Sequence, residues 1–545
     1  MRDETGYGLP DGFDELRPHQ VVAIDEALEL YAEGNDVVFM DAPTGSGKTL
    51  IGVVRAQELG GNSLYVCSDK SLQDQFARDF PHAKVLKGRA NYPTQSNPSA
   101  TAADCTAIKR TDKCFHCVDG KEGCPYEIAK AEALSAPLAC INTSYLLVEA
   151  NYIKGFSGRD LIIADEGDTL EDMMMGFVEY RASARLMADV KLQGPKKGVR
   201  KQRIVEWLRD YEDALNELLK TVNFKTDPKR YNSIRYEAAA AKRVAEEIVK
   251  DIKAAGSDDA EEKGIWLRDY EYSKQPDADP GLILKPVVVN RHGTMNLWRH
   301  ADRWLVMSAT IVSSDEMADS LGLPLDYATV QVPMTFPVEN RQVIVAPVAN
   351  VVYKEMDKAV VDLAYAIGVA ADKHPGDRMI VHTVSYSLAR QLKDELFRKQ
   401  RVPGRRIITY TEGRGREDAL KDYRRTPGAI LLAPSMARGI DLKDDDCRVQ
   451  IIAKVPFPAL ADKQISQRMH MPGGQMWYTV KSIRDIIQMT GRGVRHEEDW
   501  CVTYIFDQQF SRSLWGKWRR LFPKWWAESV VTSVDVREFI RRDDD

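Results

Sequence analysis

The sequence predicts an α/β protein built from two parallel-sheet units, and three observations carry the prediction. Short apolar runs alternate with amphipathic runs of helical period, the rhythm of strand–helix–strand units whose helices cover both faces of a parallel sheet. That rhythm occurs twice, over residues 37–310 and again over 341–506, in a chain of 545 residues that is too long for one core. The apolar runs of the first unit also lead straight into polar loops, and ligands of such sheets sit at the carboxyl ends of the strands.

Bulk composition fits a soluble globular chain, with 44% hydrophobic and 29% charged residues. No run of about 18 apolar residues is present, so no membrane span is expected. The polar start MRDETGYGLP lacks the apolar segment of a signal peptide, and a cytoplasmic location is the expectation. The net charge of −5 excludes a molecule coated in basic residues, so any nucleic-acid site has to be a local channel. Eight cysteines are too few for a disulfide scaffold. Four of them fall within twenty residues, which points to a metal site in a reducing compartment.

The first unit opens with Leu16-Arg17-Pro18-His19-Gln20 and a helix that places Val21, Ile24, Leu28 and Tyr31 on one face. A glutamine at this place can read an adenine edge as donor and acceptor, which makes Gln20 a nucleotide candidate. The apolar run 37–40 then meets Ala42-Pro43-Thr44-Gly45-Ser46-Gly47-Lys48-Thr49, followed by a helix-compatible run. Strand, glycine-rich loop and helix in this order form a phosphate-binding loop. Gly45 and Gly47 let the backbone curl so that its N–H groups and the helix N-terminus meet phosphate oxygens. Lys48 neutralises the β and γ phosphates, and the Thr49 hydroxyl holds Mg²⁺. Residues 44–49 are therefore the expected ATP cradle.

A strand over 63–68 and a helix around Leu72, Gln75 and Phe76 continue the rhythm, which breaks at Lys87. The loop-rich stretch that follows holds Cys105, Cys114, Cys117 and Cys124 in a C-x8-C-x2-C-x6-C pattern ending in Cys-Pro. A small insertion with little apolar content can be held together by metal. The pattern admits an iron–sulfur cluster, which tolerates single cysteines, or zinc, which usually takes two CxxC pairs, or free thiols; His116 is a further possible ligand. After a buried strand at 138–142, the run 160–164 drives into Asp165-Glu166-Gly167-Asp168. A buried parallel strand thus delivers carboxylates to its carboxyl end. Asp165 is expected to hold Mg²⁺ through its water shell and Glu166 to orient or deprotonate the attacking water.

From about 173 to 283 the sequence reads as a mostly helical inserted domain, with charged helical stretches over 201–222 and 236–254. Its basic residues at 196–203 suit either nucleic-acid contact or a solvated face. The run 304–310 returns to a strand ending in Ser308-Ala309-Thr310. The second unit shows strands at 341–345, 378–382, 407–409, 428–433, 448–452 and 500–506, the last expected to close its sheet. It contains no glycine-rich phosphate loop. It does contain Gln488-Met489-Thr490-Gly491-Arg492-Gly493-Val494-Arg495. Arg492 and Arg495 are three apart on one face, suited to reach the γ-phosphate from across a cleft and to stabilise transition-state charge. The aromatic and basic tail 515–526 is expected to pack the end of the chain on the second unit, with stacking on DNA as the other reading.

Taken together, RPHQ, APTGSGKT, the cysteine insertion, DEGD, SAT, ARGID and QMTGRGVR stand in the order found in superfamily-two helicases. The position of the two insertions, with LKGRANYP and GCPYEIAKAEAL, resembles the iron–sulfur branch of DinG and XPD, closest to the DinG type. The resemblance covers roughly 15–510. It implies two RecA-like motor domains, an iron–sulfur domain and a helical arch, and ATP-driven 5′-to-3′ movement on single-stranded DNA. The corresponding boundaries are 1–173 plus 284–335 for the first motor, 88–137 for the cluster insertion, 174–283 for the arch and 336–545 for the second motor. The resemblance favours a 4Fe-4S cluster on Cys105, Cys114, Cys117 and Cys124. It adds Arg17, Gly439 and Asp441 to the ATP site and Gln488 to the catalytic set, and makes Ser68, Lys70, Tyr92 and Arg438 DNA-contact candidates.

Two departures stand out. Thr94 occupies the place of the first cysteine in DinG-type chains, so Cys105 has to replace it. Asp168 occupies the place of a histidine that couples hydrolysis to DNA engagement, whereas Gly167 for alanine is a minor change. The expected partners are single-stranded DNA, forked or tailed duplex and RNA–DNA hybrid, in a bacterial, archaeal or viral nucleoid setting, with a monomer favoured. A remodelling translocase that does not unwind strongly, and a redox-responsive DNA-binding protein, are the rival functions.

Overall fold

The structure is a computed structural model that describes residues 6–95, 99–103, 123–195, 201–223, 226–254, 266–271, 281–412, 415–435, 442, 444–491, 493–533 and 535–541. The first part of the chain supplies β1 (Val37–Asp41), β2 (Ser63–Cys67), β3 (Lys84–Val85), β4 (Leu138–Asn142) and β5 (Arg159–Ala164). Next come β6 (Tyr180–Ala182), β7 (Trp266–Glu271) and β8 (Gly281–Pro286), then β9 (Ala301–Ser308) and β10 (Tyr327–Gln331). The remainder holds β11 (Val343–Ala349), β12 (Met379–His382), β13 (Ile407–Ile408), β14 (Ile430–Ala433), β15 (Val449–Ile452), β16 (Val502–Asp507) and β17 (Val530–Val531).

Two seven-stranded sheets result, ordered β10-β1-β9-β5-β2-β4-β3 and β13-β14-β12-β15-β16-β11-β17. Every pairing within them is parallel. The central strands are buried along their whole length, as covered parallel strands must be. Alternation along β1 sends Val37 and Phe39 into one apolar layer and Val38 and Met40 into the layer on the other face. The helix Lys48–Leu59 is buried continuously from Leu50 to Ala56. It lies so close to the sheet that a Cβ at Gly52 would sit 3.0 Å from Ile163 and 3.1 Å from Met307. No described helix is long and apolar enough to cross a membrane.

Between β5 and β9 the chain makes a separate layer. Helices Lys201–Thr221 and Pro228–Ala254 pack through Leu208, Tyr211, Leu215, Ala241 and Ile248. Against them lies a three-stranded antiparallel sheet, β6-β8-β7, which the helical reading of this stretch missed. The cause is physical. Only alternate residues of β8 are buried, Leu282 and Leu284 among them, so each short strand carries half the apolar signal of a buried parallel one.

The second sheet brings another correction. The strand expected at 500–506 does not close it, because β16 lies between β15 and β11 and the edge is the two-residue β17. A strand that short carries no periodicity. The tail before it packs on this unit. Phe510, Trp515, Phe522 and Trp526 stack or meet edge-on with centroids 4.8–6.2 Å apart. They share a core with Val343, Ile483 and Ile505.

In the first unit Trp304 of β9 meets Trp298 edge-on at 5.1 Å and donates its indole N–H to the Trp298 carbonyl at 3.1 Å. Trp304→Ala empties a fully buried site between β1 and β5. The expected cost is about 3–5 kcal/mol in the urea transition of the first unit, and a loss below about 1 kcal/mol would contradict this packing.

Candidate active site

The root of the site is the end of β1. Gly45 and Gly47 have φ of +84° and +79°, which L side chains adopt only with strain, and Gly47 caps the helix that Lys48 begins. Donors from the first helix, Pro18–Ala32, and its cap fix the loop's shape. Arg17 Nη1 donates to the Gly45 carbonyl at 3.1 Å, and Gln20 Nε2 to the Ser46 carbonyl at 3.1 Å. His19 Nε2 donates to the same Ser46 carbonyl at 3.0 Å. Gln20 Oε1 meanwhile accepts from the Arg17 amide at 2.8 Å. The Ser46 amide donates to the Pro43 carbonyl at 3.2 Å, so the loop is also braced from within, and the start of the helix at Lys48 is the end that would meet an anion. Gln20, expected at an adenine edge, here holds the loop itself, and a Cβ at Gly47 would run into its amide nitrogen at 2.2 Å. Phe336 packs over Gly45 in the same way, 2.3 Å from where a Cβ would stand.

Lys48 Nζ donates to the Ala42 carbonyl at 3.3 Å. The Tyr65 hydroxyl donates to Asp165 Oδ2 at 2.9 Å and also faces Thr49. Burial and the Asp165 carboxylate push the phenol well above its ordinary range, so it stays a donor. One hydroxyl thus draws together the two oxygens expected to hold Mg²⁺, a hard donor pair that fits this ion. Asp165 Oδ1 accepts from the Glu166 amide at 2.9 Å, and Glu166 sits in the left-handed region at φ +51°. Gly167 is not a minor replacement in this chain, because a Cβ there would lie 2.3 Å from Val306 Cγ1.

The order β1-β9-β5 places the end of β9 between the phosphate loop and the acidic turn. Buried Asp168 accepts from Ser308 Oγ at 2.8 Å, and Ser308 Oγ accepts from the Thr310 amide at 3.1 Å. From the second unit, Gln488 Nε2 donates to Thr310 Oγ1 at 3.0 Å. Arg484 donates to the Thr310 and Ile311 carbonyls, each at 3.1 Å, and pairs with Glu316 at 3.2 Å. The helix Gly474–Thr490 carries both residues and ends at Gly491, where a Cβ would stand 3.7 Å from the Thr44 hydroxyl. Arg495 follows, its amide held by Asp499 Oδ2 at 3.0 Å, while Arg448 grips Asp499 Oδ1 at 2.7 Å.

Some candidates are not brought into this cluster. Ser68 and Lys70 stand half-buried and exposed beyond β2. The Tyr92 hydroxyl accepts from the Lys87 amide at 3.1 Å, and its ring meets Tyr126 edge-on at 5.6 Å. Thr94 is buried, and its amide donates to the Ala100 carbonyl at 3.0 Å. The Ala102 amide donates back to Tyr92 at 2.9 Å, so the chain doubles back beside the Thr94 position. Cys124 is buried at the N-terminus of the helix Pro125–Ser135. Cys105, Cys114, Cys117, Arg438, Gly439, Asp441 and Arg492 lie outside the described residues.

Sequence reasoning passed over Asp41, Tyr65 and Arg484. The available signal for Asp41 was an acid directly ahead of the loop at the end of an apolar run. Asp41 is 6% exposed, and its Oδ1 has no hydrogen-bond partner. Burial raises its pKa to about 7, against the pull of Lys48, the Ile311 amide and Arg484.

The chain matches the family model of the helicase C-terminal domain over residues 368–529. It also matches that of the type III restriction enzyme res subunit over residues 13–186. It is 30% identical over 127 residues to the Fanconi anemia group J protein homolog of Gallus gallus, which covers 21% of this chain and 10% of that protein. It is 28% identical over 124 residues to the ATP-dependent DNA helicase chl-1 of Caenorhabditis elegans, covering 21% of this chain and 15% of that protein. The match thus spans only a small part of the relatives' own length. Among solved structures, one described as an XPD helicase superposes with a TM-score of 0.61 at 16% identity, covering 93% of this chain and 98% of that one. Xpd4 of S. tokodaii gives 0.55 at 14% identity, covering 95% of this chain and all of that one (100%). The shared fold is that of two RecA-like units.

The raised Asp41 carboxyl has a pH consequence. Between the ordinary 3.8 and about 7, the folded chain keeps a proton that the unfolded chain has released. Stability from this group therefore falls as pH rises through that window and is lowest above it. Asp41→Asn removes the ionisation. Its melting temperature should exceed the parent's at pH 8, with the margin shrinking toward pH 4. A margin that does not change with pH would contradict the buried charge.

Proposed function

We propose that this chain, which belongs to the DinG/XPD-like family of superfamily-two helicases, is an ATP-dependent motor. In this reading it moves 5′-to-3′ on single-stranded DNA and opens duplex or RNA–DNA hybrid ahead of it. The observation that carries the reading is the meeting of two sheets at one site. The phosphate loop of the first sheet lies against the turn at Gly491, and Thr310 bonds Gln488 across the joint. A motor needs hydrolysis at a joint whose closure the γ-phosphate controls.

Lys48 and residues 44–49, with Arg17 and Gln20 behind them, bind the ATP phosphates. Glu166 orients the attacking water, and Arg492 and Arg495 approach from the second motor to stabilise transition-state charge. Thr49 and Asp165 would hold Mg²⁺, which neutralises phosphate charge when bound. Asp168, in the place of the histidine that couples hydrolysis to DNA engagement in DinG-type chains, accepts from the Ser308 hydroxyl at 2.8 Å. Motor one is assigned to 1–173 and 284–335, motor two to 336–545 and the arch to 174–283. Ser68, Lys70, Tyr92 and Arg438 are assigned to the DNA track.

Strand displacement on 5′-tailed and 3′-tailed duplexes, with ATP and Mg²⁺, tests the motor. The 5′-tailed substrate alone should open, and Lys48→Ala should open neither. Opening of the 3′-tailed duplex would reverse the polarity, and DNA-stimulated hydrolysis without displacement would leave a translocase.

Cys105, Cys114, Cys117 and Cys124 would hold a 4Fe-4S cluster in the insertion 88–137. Two observations support the fit. Cys124 is buried and caps the N-terminal end of the helix Pro125–Ser135, which fixes its place at the edge of the insertion. The amide bonds of Thr94 to Ala100 and of Ala102 to Tyr92 also bring the chain ahead of the cysteine run back to the Thr94 position. An anaerobic preparation should be brown and contain iron with acid-labile sulfide, whereas one zinc per chain without iron would replace the cluster. Cys114→Ser should reduce unwinding more than ATP turnover, and equal loss of both would contradict a role at the DNA fork.

A further inference from the structure

The helix that leaves the acidic turn carries a carboxylate that the reading above does not use. The residues after Glu166 run through the turn Gly167–Thr169 directly into the helix Leu170–Val178, with Glu171 in its first turn. Within the first unit the turn is tied by the Thr169 amide and hydroxyl, which donate to the Glu166 carbonyl at 2.9 and 2.7 Å. Leu170 anchors the helix start in the apolar core. Glu166 itself stands at φ +51°, a conformation that a non-glycine residue keeps only where its surroundings fix it. The next fixed point along the chain is Glu171, and the groups that hold it come from the second unit.

Glu171 is 8% exposed, and both of its carboxylate oxygens are engaged. Oε1 pairs with Arg468, and Oε2 accepts from the Trp477 indole N–H at 3.0 Å. The Arg468 guanidinium lies over the Trp477 ring, 4.3 Å from its centroid, and its Nη2 donates to Ser320 Oγ at 2.7 Å. A carboxylate buried in this way is tolerated only with such partners in place. Beside it, Lys481 Nζ donates to Asp172 Oδ1 at 2.6 Å. Trp477, Lys481, Arg484 and Gln488 follow one another at spacings of four, three and four, so they form one stripe of the helix Gly474–Thr490. The stripe begins on Glu171 and Asp172 and ends on Thr310, just before Gly491 beside Thr44. One helix of the second unit thus reaches from the acidic turn to the phosphate loop.

We propose that Glu171 is a positioning residue for the acidic turn: gripped by Arg468 and Trp477, it makes the placing of Glu166 depend on the seating of the second unit. The proposal rests on the reading of Glu166 as the residue that orients the attacking water. When the second unit is not seated, Glu171 loses these partners, and the turn continuous with it loses its outer anchor. Hydrolysis is thereby confined to the seated state.

The test uses the full chain as parent, with Trp477→Phe, Arg468→Ala, Glu171→Ala and the Glu171→Ala/Trp477→Phe double variant. Trp477→Phe removes the indole N–H and keeps a ring beneath Arg468. Lys463→Ala, which breaks an exposed pair with Asp269 of β7, controls for a general loosening of the joint. Steady-state ATP hydrolysis with saturating oligo-dT is compared with binding of a fluorescent ADP analogue. Trp477→Phe should lower kcat about fivefold and Arg468→Ala about tenfold, while nucleotide Kd changes less than about threefold. Adding Trp477→Phe to Glu171→Ala should cause no further loss, since the indole acts through that carboxylate. Lys463→Ala should match the parent. A Kd that rises in step with the fall in kcat, a full additional loss in the double variant, or an equal fall in Lys463→Ala would each overturn the proposal. Amide exchange over 165–171 in the nucleotide-free chain reads the link without turnover. It should quicken about fivefold in Trp477→Phe and Arg468→Ala, with β2 unchanged. Unchanged exchange at 165–171 overturns the link even if the parent hydrolyses no ATP, which by itself would defeat only the reading of Glu166.

Discussion

Between Ser308 and Ile311 the backbone leaves β9 with polar groups that can no longer pair within the sheet, and their placement sets the joint between the two units. Buried peptide groups have to find partners. Here the carbonyls of Thr310 and Ile311 find them in Arg484, and the hydroxyls of Ser308 and Thr310 find them in Asp168 and Gln488. Because β9 lies between β1 and β5, this short stretch touches both the phosphate loop and the acidic turn. Arg484 brings the second unit onto it, and a second buried arginine, Arg468, joins the two units nearby; each pairs with a glutamate of the first unit, Glu316 and Glu171 respectively. Buried charged pairs tolerate few arrangements, so the joint favours discrete seatings over gradual sliding.

The phosphate loop is held from behind by the same logic. Its carbonyls are bound by Arg17, His19 and Gln20, and Phe336 lies against Gly45. Phe336 belongs to the apolar core of the second unit, with Ile380, Tyr423 and Val494. The loop is therefore preformed, and one of its walls is supplied by the second unit. Preformed donors need no reorganisation when charge arrives.

The larger insertion leaves the first sheet undisturbed because its ends are neighbours. β5 and β9 are hydrogen-bonded to each other, so the chain between them departs and returns over one strand spacing. The loop-closure cost of such an excursion grows only slowly with length. Arg291, just after β8, ties the inserted layer to its point of return by pairing with Glu247 at 2.9 Å and with Asp251.

Much of this was legible in the residues. Buried parallel strands read as continuous apolar runs, and the loop 42–49 states its own chemistry, because glycine is required at φ values that other residues avoid. The sheet β6-β8-β7 and the edge strand β17 were not legible, since short strands with one buried face carry too weak a pattern. Asp41, Tyr65 and Arg484 were hidden for a different reason. An acid, a phenol and a guanidinium have no local signature, and their roles arise from partners distant in the chain: Ile311 for Asp41, Asp165 for Tyr65, and Thr310 for Arg484. By itself the sequence determined the glycine-rich loop at 42–49 and the acidic turn at the end of β5, because those residue types and spacings are local. Only the tertiary structure decided that β9 passes between β1 and β5, since strand order depends on long-range pairing, and that order makes one peptide segment common to both halves.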